Sequence, residues 1–273
     1  MHVGMRIGAV LLALFLLPAP STAANAEFSG TTKKALDSLT VSAEVRSGYD
    51  RSLFRHWTDD DGDGCNARYE VLIAEAVKAP RVGSGCRLTG GRWVSAYDGV
   101  QTTSVRALDI DHVVPLAEAW DSGAYRWTSD QRRAFANDLG DGRALIAVTA
   151  SSNRQKSDQD PAEWLPPLAR CTYLVDWIAI KVRWKLSVDS AEKQALRRLV
   201  TECGLTSIRV TYANVPTSTR ASTQQDTTAA GTEKQRVYPG AFCTPRGAIG
   251  YSAKNVRYEC KPSATEARNR WRR

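Results

Sequence analysis

The sequence predicts an α+β protein. Two short apolar runs, residues 105–110 and 144–150, read as strands, and amphipathic helical segments surround them. The clearest helical signal is a pair of segments, 171–186 and 189–203. Asp189 and Glu192 stand in the first turn of the second segment, and Gly204 follows its end. A polar linker then leads to a small cysteine-bearing module.

In chain order, Arg6 precedes an apolar run over 7–17, followed by Pro18, Pro20 and small residues up to Ala24-Asn25-Ala26. A bilayer span needs about 20 apolar residues, so residues 1–26 are expected to be a secretory signal peptide and the mature chain to be secreted, extracellular and unanchored. Residues 27–57 carry Leu36, Leu39, Val41, Val45, Tyr49, Leu53 and Phe54, consistent with one or two short helices. Residues 68–78 read as a helix stopped by Pro80, and the glycine-rich stretch 83–91 as a loop held by Cys86. Residues 93–97 form a further strand candidate. Segments 116–120 and 129–139 read as helical, the second capped by Ser129 or Thr128, while Pro161, Pro166 and Pro167 break up the chain further on. Residues 213–233, rich in Thr, Ser, Ala and Gln, lack the bulky apolar side chains needed to order themselves. The predicted organisation is a signal peptide 1–26, a main domain 27–210, a linker 211–235 and a C-terminal module 236–273.

All six cysteines lie after the leader. An even count in an exported chain points to disulfides. Spacing alone leaves the pairing open, with sequence neighbours as the natural choice: Cys65–Cys86, Cys171–Cys203 and Cys243–Cys260. The second bond would join the start of one helix to the end of its antiparallel neighbour. Zinc fits poorly, since there is no C-x-x-C and only His56 and His112 remain after processing. The net charge of +8 resides in the tail: residues 234–273 hold ten Lys and Arg against Glu259 and Glu266. With Tyr258 and Trp271 among them, these residues suit sequence-independent attraction to a polyanion. A solubilising charged end is the plainer reading.

The chemistry concentrates in Asp109-Ile110-Asp111-His112-Val113-Val114-Pro115 and in Asn153-Arg154-Gln155-Lys156-Ser157-Asp158. On a strand Asp109 and Asp111 share a face and His112 points the other way. His112 and Asp111 therefore meet in one site only if the strand ends there, as Pro115 suggests. A neutral histidine can take a proton from water near pH 7. One carboxylate and one amide oxygen suffice for Mg²⁺ or Mn²⁺, which keeps several waters. These are the parts needed to hydrolyse a phosphodiester.

With these two motifs the chain resembles the HNH (ββα-metal) nucleases, and more narrowly secreted actinobacterial HNH-family proteins related to the C-terminal nuclease domain of GmrSD restriction enzymes. Ala119-Trp120, Phe135-Ala136-Asn137-Asp138-Leu139, Pro161-Ala162-Glu163-Trp164-Leu165-Pro166 and Trp177 support the resemblance, which covers roughly residues 49–203. It implies His112 as general base, Asp111 and Asn153 as ligands of Mg²⁺ or Mn²⁺, and products with 5′-phosphates. It also implies phosphate contacts from Lys156, with Arg154 beside it. The family's middle Asn should fall near Ala144, where this chain has none. That role stays open between Asn137 and Arg143. Trp120, Trp164 and Trp177 read as core residues.

Separately, Asp59-Asp60-Asp61-Gly62-Asp63-Gly64 followed by Glu70 matches D-x-D-x-D-G-x₅-E, the EF-hand loop pattern, with helical segments expected on both sides. Asp59, Asp61, Asp63 and Glu70 would hold Ca²⁺. Against this, Asn66 stands where such loops carry an apolar residue, and an acidic turn opening the next helix explains the same residues. The expectation is a monomeric secreted HNH-type endonuclease with nucleic acid, DNA first, as partner and an α+β fold with an HNH ββα-metal core among helices. Its rival is a non-enzymatic, calcium-stabilised extracellular protein that binds polyanions or cell wall.

Overall fold

The computed structural model describes residues 26–213, 246–251, 257–262 and 269–272. All but Ala26 of the predicted signal peptide and most of the linker lie outside the described residues. The chain divides into two units, up to Thr217 and from Ser218 onward.

The first unit begins with strand β1 (Glu27–Thr31), which pairs antiparallel with β8 (Ser207–Thr211), Phe28 opposite Val210. The helices expected over 27–57 reduce to α1 (Thr32–Ser38) and a 3-10 turn at Arg51–Leu53. β1 was illegible because its partner lies some 180 positions away and its own five residues do not alternate. Helix α2 (Ala67–Ala74) is capped by the Asn66 side chain and ends before Pro80. Two small hairpins follow, β2 (Arg81–Gly83) with β3 (Arg87–Thr89) and β4 (Trp93–Val94) with β5 (Gln101–Thr102). The stretch expected to be a plain loop around Cys86 is thus the first of these hairpins.

The central strand starts later than the apolar run suggests. Residues Val105–Ala107 form a 3-10 turn, and β6 spans Leu108–His112. Helices α3 (Leu116–Asp121) and α4 (Ser129–Ala136) intervene before β7 (Leu145–Thr149) and α5 (Ala150–Lys156). Thr128, not Ser129, caps α4, in a reciprocal capping box with Gln131.

The helical hairpin is α6 (Arg170–Arg183) and α7 (Ser190–Cys203), with Asp189 capping α7 through Ala191 and Glu192. A Cys171–Cys203 bond joins its ends, and Cys65–Cys86 ties the acidic turn to the first hairpin. Tyr173, Leu174, Trp177 and Ile178 of α6 and Leu196 and Leu199 of α7 enter a core shared with Leu36, Phe54, Leu72, Trp93 and Val148. Trp120 and Trp177 are buried in it, and Trp164 packs on Tyr97 and Tyr173. Among the described residues no helix is long and apolar enough to cross a membrane.

The second unit contains an antiparallel meander of β9 (Ile249–Tyr251), β10 (Arg257–Pro262) and β11 (Asn269–Arg272). Cys260 is buried and disulfide-bonded. Cys243, its expected partner, lies outside the described residues.

Candidate functional site

The site grows from β6, β7 and α5. β6 and β7 pair antiparallel, with Asp111 opposite Ile146 and His112 opposite Leu145, and α5 follows β7 directly. β6 ends at His112, and Pro115 begins a new direction before α3. That early stop lets Asp111 and His112, on opposite strand faces, line one cleft of about 530 Å³. Tyr49, Arg51, Asn153, Arg154 and Asp158 also line it.

His112 is 5% exposed, and its Nε2 lies 2.9 Å from the carbonyl oxygen of Ala136. A carbonyl can only accept, so Nε2 carries the proton and Nδ1 keeps a lone pair. The ring stacks on Phe135 at 6.4 Å and tilts over Trp57 at 5.6 Å. Burial, chiefly, lowers its pKa to about 3, with Arg51 and His56 adding to the effect, so the imidazole is neutral at ordinary pH.

The carboxylates are organised by α5. Asn153 donates Nδ2 to Asp109 Oδ2 at 3.2 Å, which leaves its amide oxygen available as a ligand. Lys156 is fully buried and donates to Asp111 Oδ1 and to the His112 carbonyl, both at 2.9 Å. Tyr97 donates to the other Asp111 oxygen at 2.5 Å. Burial pushes the Asp111 carboxyl up and the Lys156 ammonium down, while each draws the other back toward its charged form. Lys156 is therefore neither a phosphate contact nor a surface lysine. Its ammonium is spent holding Asp111 and the end of β6. Arg154 is exposed at the cleft, and Arg51 joins it there.

Residues 86–199 match the family of GmrSD restriction endonucleases, C-terminal domain. An uncharacterized secreted protein of the fungus Arthroderma benhamiae is 43% identical over 201 residues, covering 71% of this chain and 97% of the relative. The chain belongs to one family with this relative, and its residues 86–199 are similar to the GmrSD C-terminal domain. No solved structure matches it. The relative is secreted, and the disulfides of this GmrSD-type domain fit the same extracellular setting. Because the relative is fungal, the likeness reaches beyond the actinobacterial proteins that the motifs resemble. The family's nuclease-like character attaches to the span that holds Tyr97, Asp111, His112, Asn153 and Lys156, whereas the acidic turn precedes it.

Of the two residues open for the middle role in this GmrSD-type domain, Asn137 is the one near the histidine. It follows Ala136, accepts from the Thr58 amide at 2.9 Å, and donates to the Arg55 and Arg133 carbonyls. It thereby holds the segment carrying His56 and Trp57, the latter in a left-handed conformation (φ 58°) that is costly for a bulky residue. Arg143 instead chelates Asp141 and reaches the Arg209 carbonyl. Sequence reasoning missed Tyr97, the Ala136 carbonyl and Arg51. Asp109 alone had a signal, its shared strand face with Asp111.

In the acidic turn, carboxylate oxygens of Asp59, Asp61 and Asp63 lie within 4.8 Å of one another, and Glu70 approaches through Asp63. Asp59 also accepts from the Gly62 and Gly64 amides at 2.9 and 3.0 Å. The helix expected before this loop is absent: the 3-10 turn at Arg51–Leu53 is followed by irregular chain up to α2.

Proposed function

We propose that this protein is a secreted, metal-dependent endonuclease of the HNH type that hydrolyses phosphodiester bonds of nucleic acid, DNA first, as a monomer. One observation carries the reading. The Ala136 carbonyl fixes the His112 tautomer, so the unprotonated nitrogen belongs to a histidine lining the same cleft as Asp111 and Asn153. His112 takes the proton of a water whose oxygen bonds to phosphorus. The bond from phosphorus to the 3′ oxygen breaks, that oxygen gains a proton from solvent, and the phosphate stays on the 5′ side. Arg154 and Arg51 hold the phosphate at the rim.

Asp111 and the amide oxygen of Asn153 would hold Mg²⁺ or Mn²⁺, and a donor set of hard oxygens suits either ion. A cation there offsets charge on the phosphate and on the departing oxygen. Lys156 and Tyr97 position Asp111, and Asp109 orients the Asn153 amide. The convergence of Asp59, Asp61 and Asp63 supports a structural Ca²⁺ site beside this function, and in the rival reading calcium-stabilised binding is the whole function.

Plasmid nicking separates the two readings. The wild type should nick with Mg²⁺ or Mn²⁺ and stop in EDTA. His112→Ala should lose about 10²- to 10⁴-fold in rate, the usual contribution of a general base, while melting near the wild-type temperature. A wild type inert with both ions, or a His112→Ala variant as fast as it, overturns the proposal.

A further inference from the structure

A second group of carboxylates belongs neither to the lining of the cleft nor to the acidic turn. One oxygen each from Glu44, Glu118 and Asp121 fall within 4.8 Å of one another, and the same holds for Glu44, Asp160 and Asp189. Four separate stretches of chain supply them. Glu44 comes from the segment after α1, Glu118 and Asp121 from α3, Asp160 from the turn after α5, and Asp189 from the cap of α7. Glu44 belongs to both triads, so the five acids form one continuous group.

The hydrogen bonds leave this group short of positive charge. Asp160 accepts from the Ala162 amide, Asp189 from Ala191 and Glu192, and Glu118 from Ser122 and Lys181. Among the described residues two cations pair with the group, and both are shared outside it: Arg46 bridges Asp121 to Asp158, and Lys181 bridges Glu118 to Glu192. Asp121 is 1% exposed, and among the described residues its buried Oδ1 has no hydrogen-bond partner. A buried carboxylate oxygen without a donor is rare in folded proteins and calls for an unseen partner. Burial together with Glu118, Asp121, Asp189 and Asp160 raises the Glu44 pKa to about 7.

We propose that Glu44, Glu118, Asp121 and Asp160, with Asp189 beside them, form a binding site for a divalent cation of the calcium type. The donors are all carboxylate oxygens, with neither histidine nor cysteine, and they come from several directions. Ca²⁺, which takes six to eight oxygens in adaptable geometry, suits such a set. The ion would satisfy the orphaned Asp121 oxygen and pin the segment containing Glu44 to α3 and α7. Tyr49 and Arg51, five and seven residues further along, line the cleft, so the ion would also steady one cleft wall. None of its five acids lines the cleft or belongs to the Asp59–Glu70 turn.

The test uses full-length protein stripped of metal, titrated with CaCl₂ by calorimetry and by thermal melting. The wild type should bind Ca²⁺ and melt roughly 5–10 °C higher at a hundredfold excess over Kd. Glu44→Gln retains the packing and removes the central charge. Without calcium it should melt at or above the wild-type temperature, and with calcium it should bind one equivalent fewer. Asp61→Asn, in the acidic turn, should keep the equivalent that Glu44→Gln loses. A wild type that binds no Ca²⁺, or a Glu44→Gln variant with undiminished stoichiometry and melting shift, overturns the proposal.

Discussion

Two lysines of this protein are fully buried against carboxylates, yet they sit in very different company. Lys181 is caged by Glu118, Glu192, the Ser122 hydroxyl and the Ser187 carbonyl. Lys156 has one carboxylate, Asp111, and a carbonyl. Burial lowers the pKa of both, but in Lys181 two carboxylates outweigh it and the net shift is upward. In Lys156 one carboxylate does not, and the net shift is downward. The acid paired with Lys156 also opens on a cleft beside a histidine, whereas Glu118 and Glu192 are buried and line no part of that cleft. A buried ion pair is therefore no mark of a site in itself. The mark is a buried pair with one member left reachable.

The contrast predicts unequal costs. Removing one member of a buried pair leaves an uncompensated charge and typically costs 3–5 kcal/mol. Lys181→Met strands two buried carboxylates and should lie at or above about 5 kcal/mol, with little folded protein at neutral pH. Lys156→Met strands only Asp111, which keeps the Tyr97 hydroxyl and can reach water through the cleft, so about 3 kcal/mol is expected. Chemical denaturation of both variants at one pH measures the pair. Equal losses would mean that the cleft gives Asp111 no access to solvent.

The same asymmetry explains what could be read from the chain beforehand. His112, Asp111 and Asn153 were legible because each stands at the end of a short apolar run, where a local pattern says which element holds it. The helical hairpin was legible for the same reason, down to the bond between its ends, with Asp189, expected in the first turn of α7, standing one place earlier as its cap. Lys156 was misjudged because it sits in a polar, basic string, and its burial depends on Asp111, 45 residues earlier. Tyr97 and the Ala136 carbonyl carry no local signature, since one is an ordinary aromatic in a turn and the other is backbone. The β1–β8 pairing and the Glu44 group bring together residues far apart in sequence, which periodicity cannot reveal.

Disulfide removal is a second way to sharpen the comparison, because Lys181 and Glu192 lie on α6 and α7, whereas no residue of these two helices lines the cleft. The Cys171–Cys203 bond closes a loop of 32 residues and Cys65–Cys86 one of 21. Chain-entropy reasoning gives each roughly 3–4 kcal/mol. Replacing Cys171 and Cys203 by Ser should lower the melting temperature by about 10 °C while leaving nicking at 20 °C nearly unchanged. If the variant instead loses activity with its fold intact, α6 and α7 take part in shaping the cleft.

The smallest effect concerns a single acid outside both networks. Glu75 follows α2, and its carboxylate accepts the Ala147 amide of β7 at 2.7 Å. Burial raises its pKa from 4.5 to about 7, only partly offset by that bond. A carboxyl whose folded pKa exceeds its unfolded value contributes most below pH 4.5, and that contribution is lost as pH climbs through 7. Glu75→Gln keeps an acceptor for Ala147 and removes the titration. Below pH 4.5 the variant and the wild type should therefore melt together. Above pH 7 the variant should be more stable, by up to about 3 kcal/mol and hence several degrees. Melting curves at pH 4.5, 6 and 8 decide it. Parallel curves would mean that Glu75 is solvated as it ionises, and that the amide of Ala147, on the strand paired with the one ending in His112, is held by an ordinary exposed carboxylate.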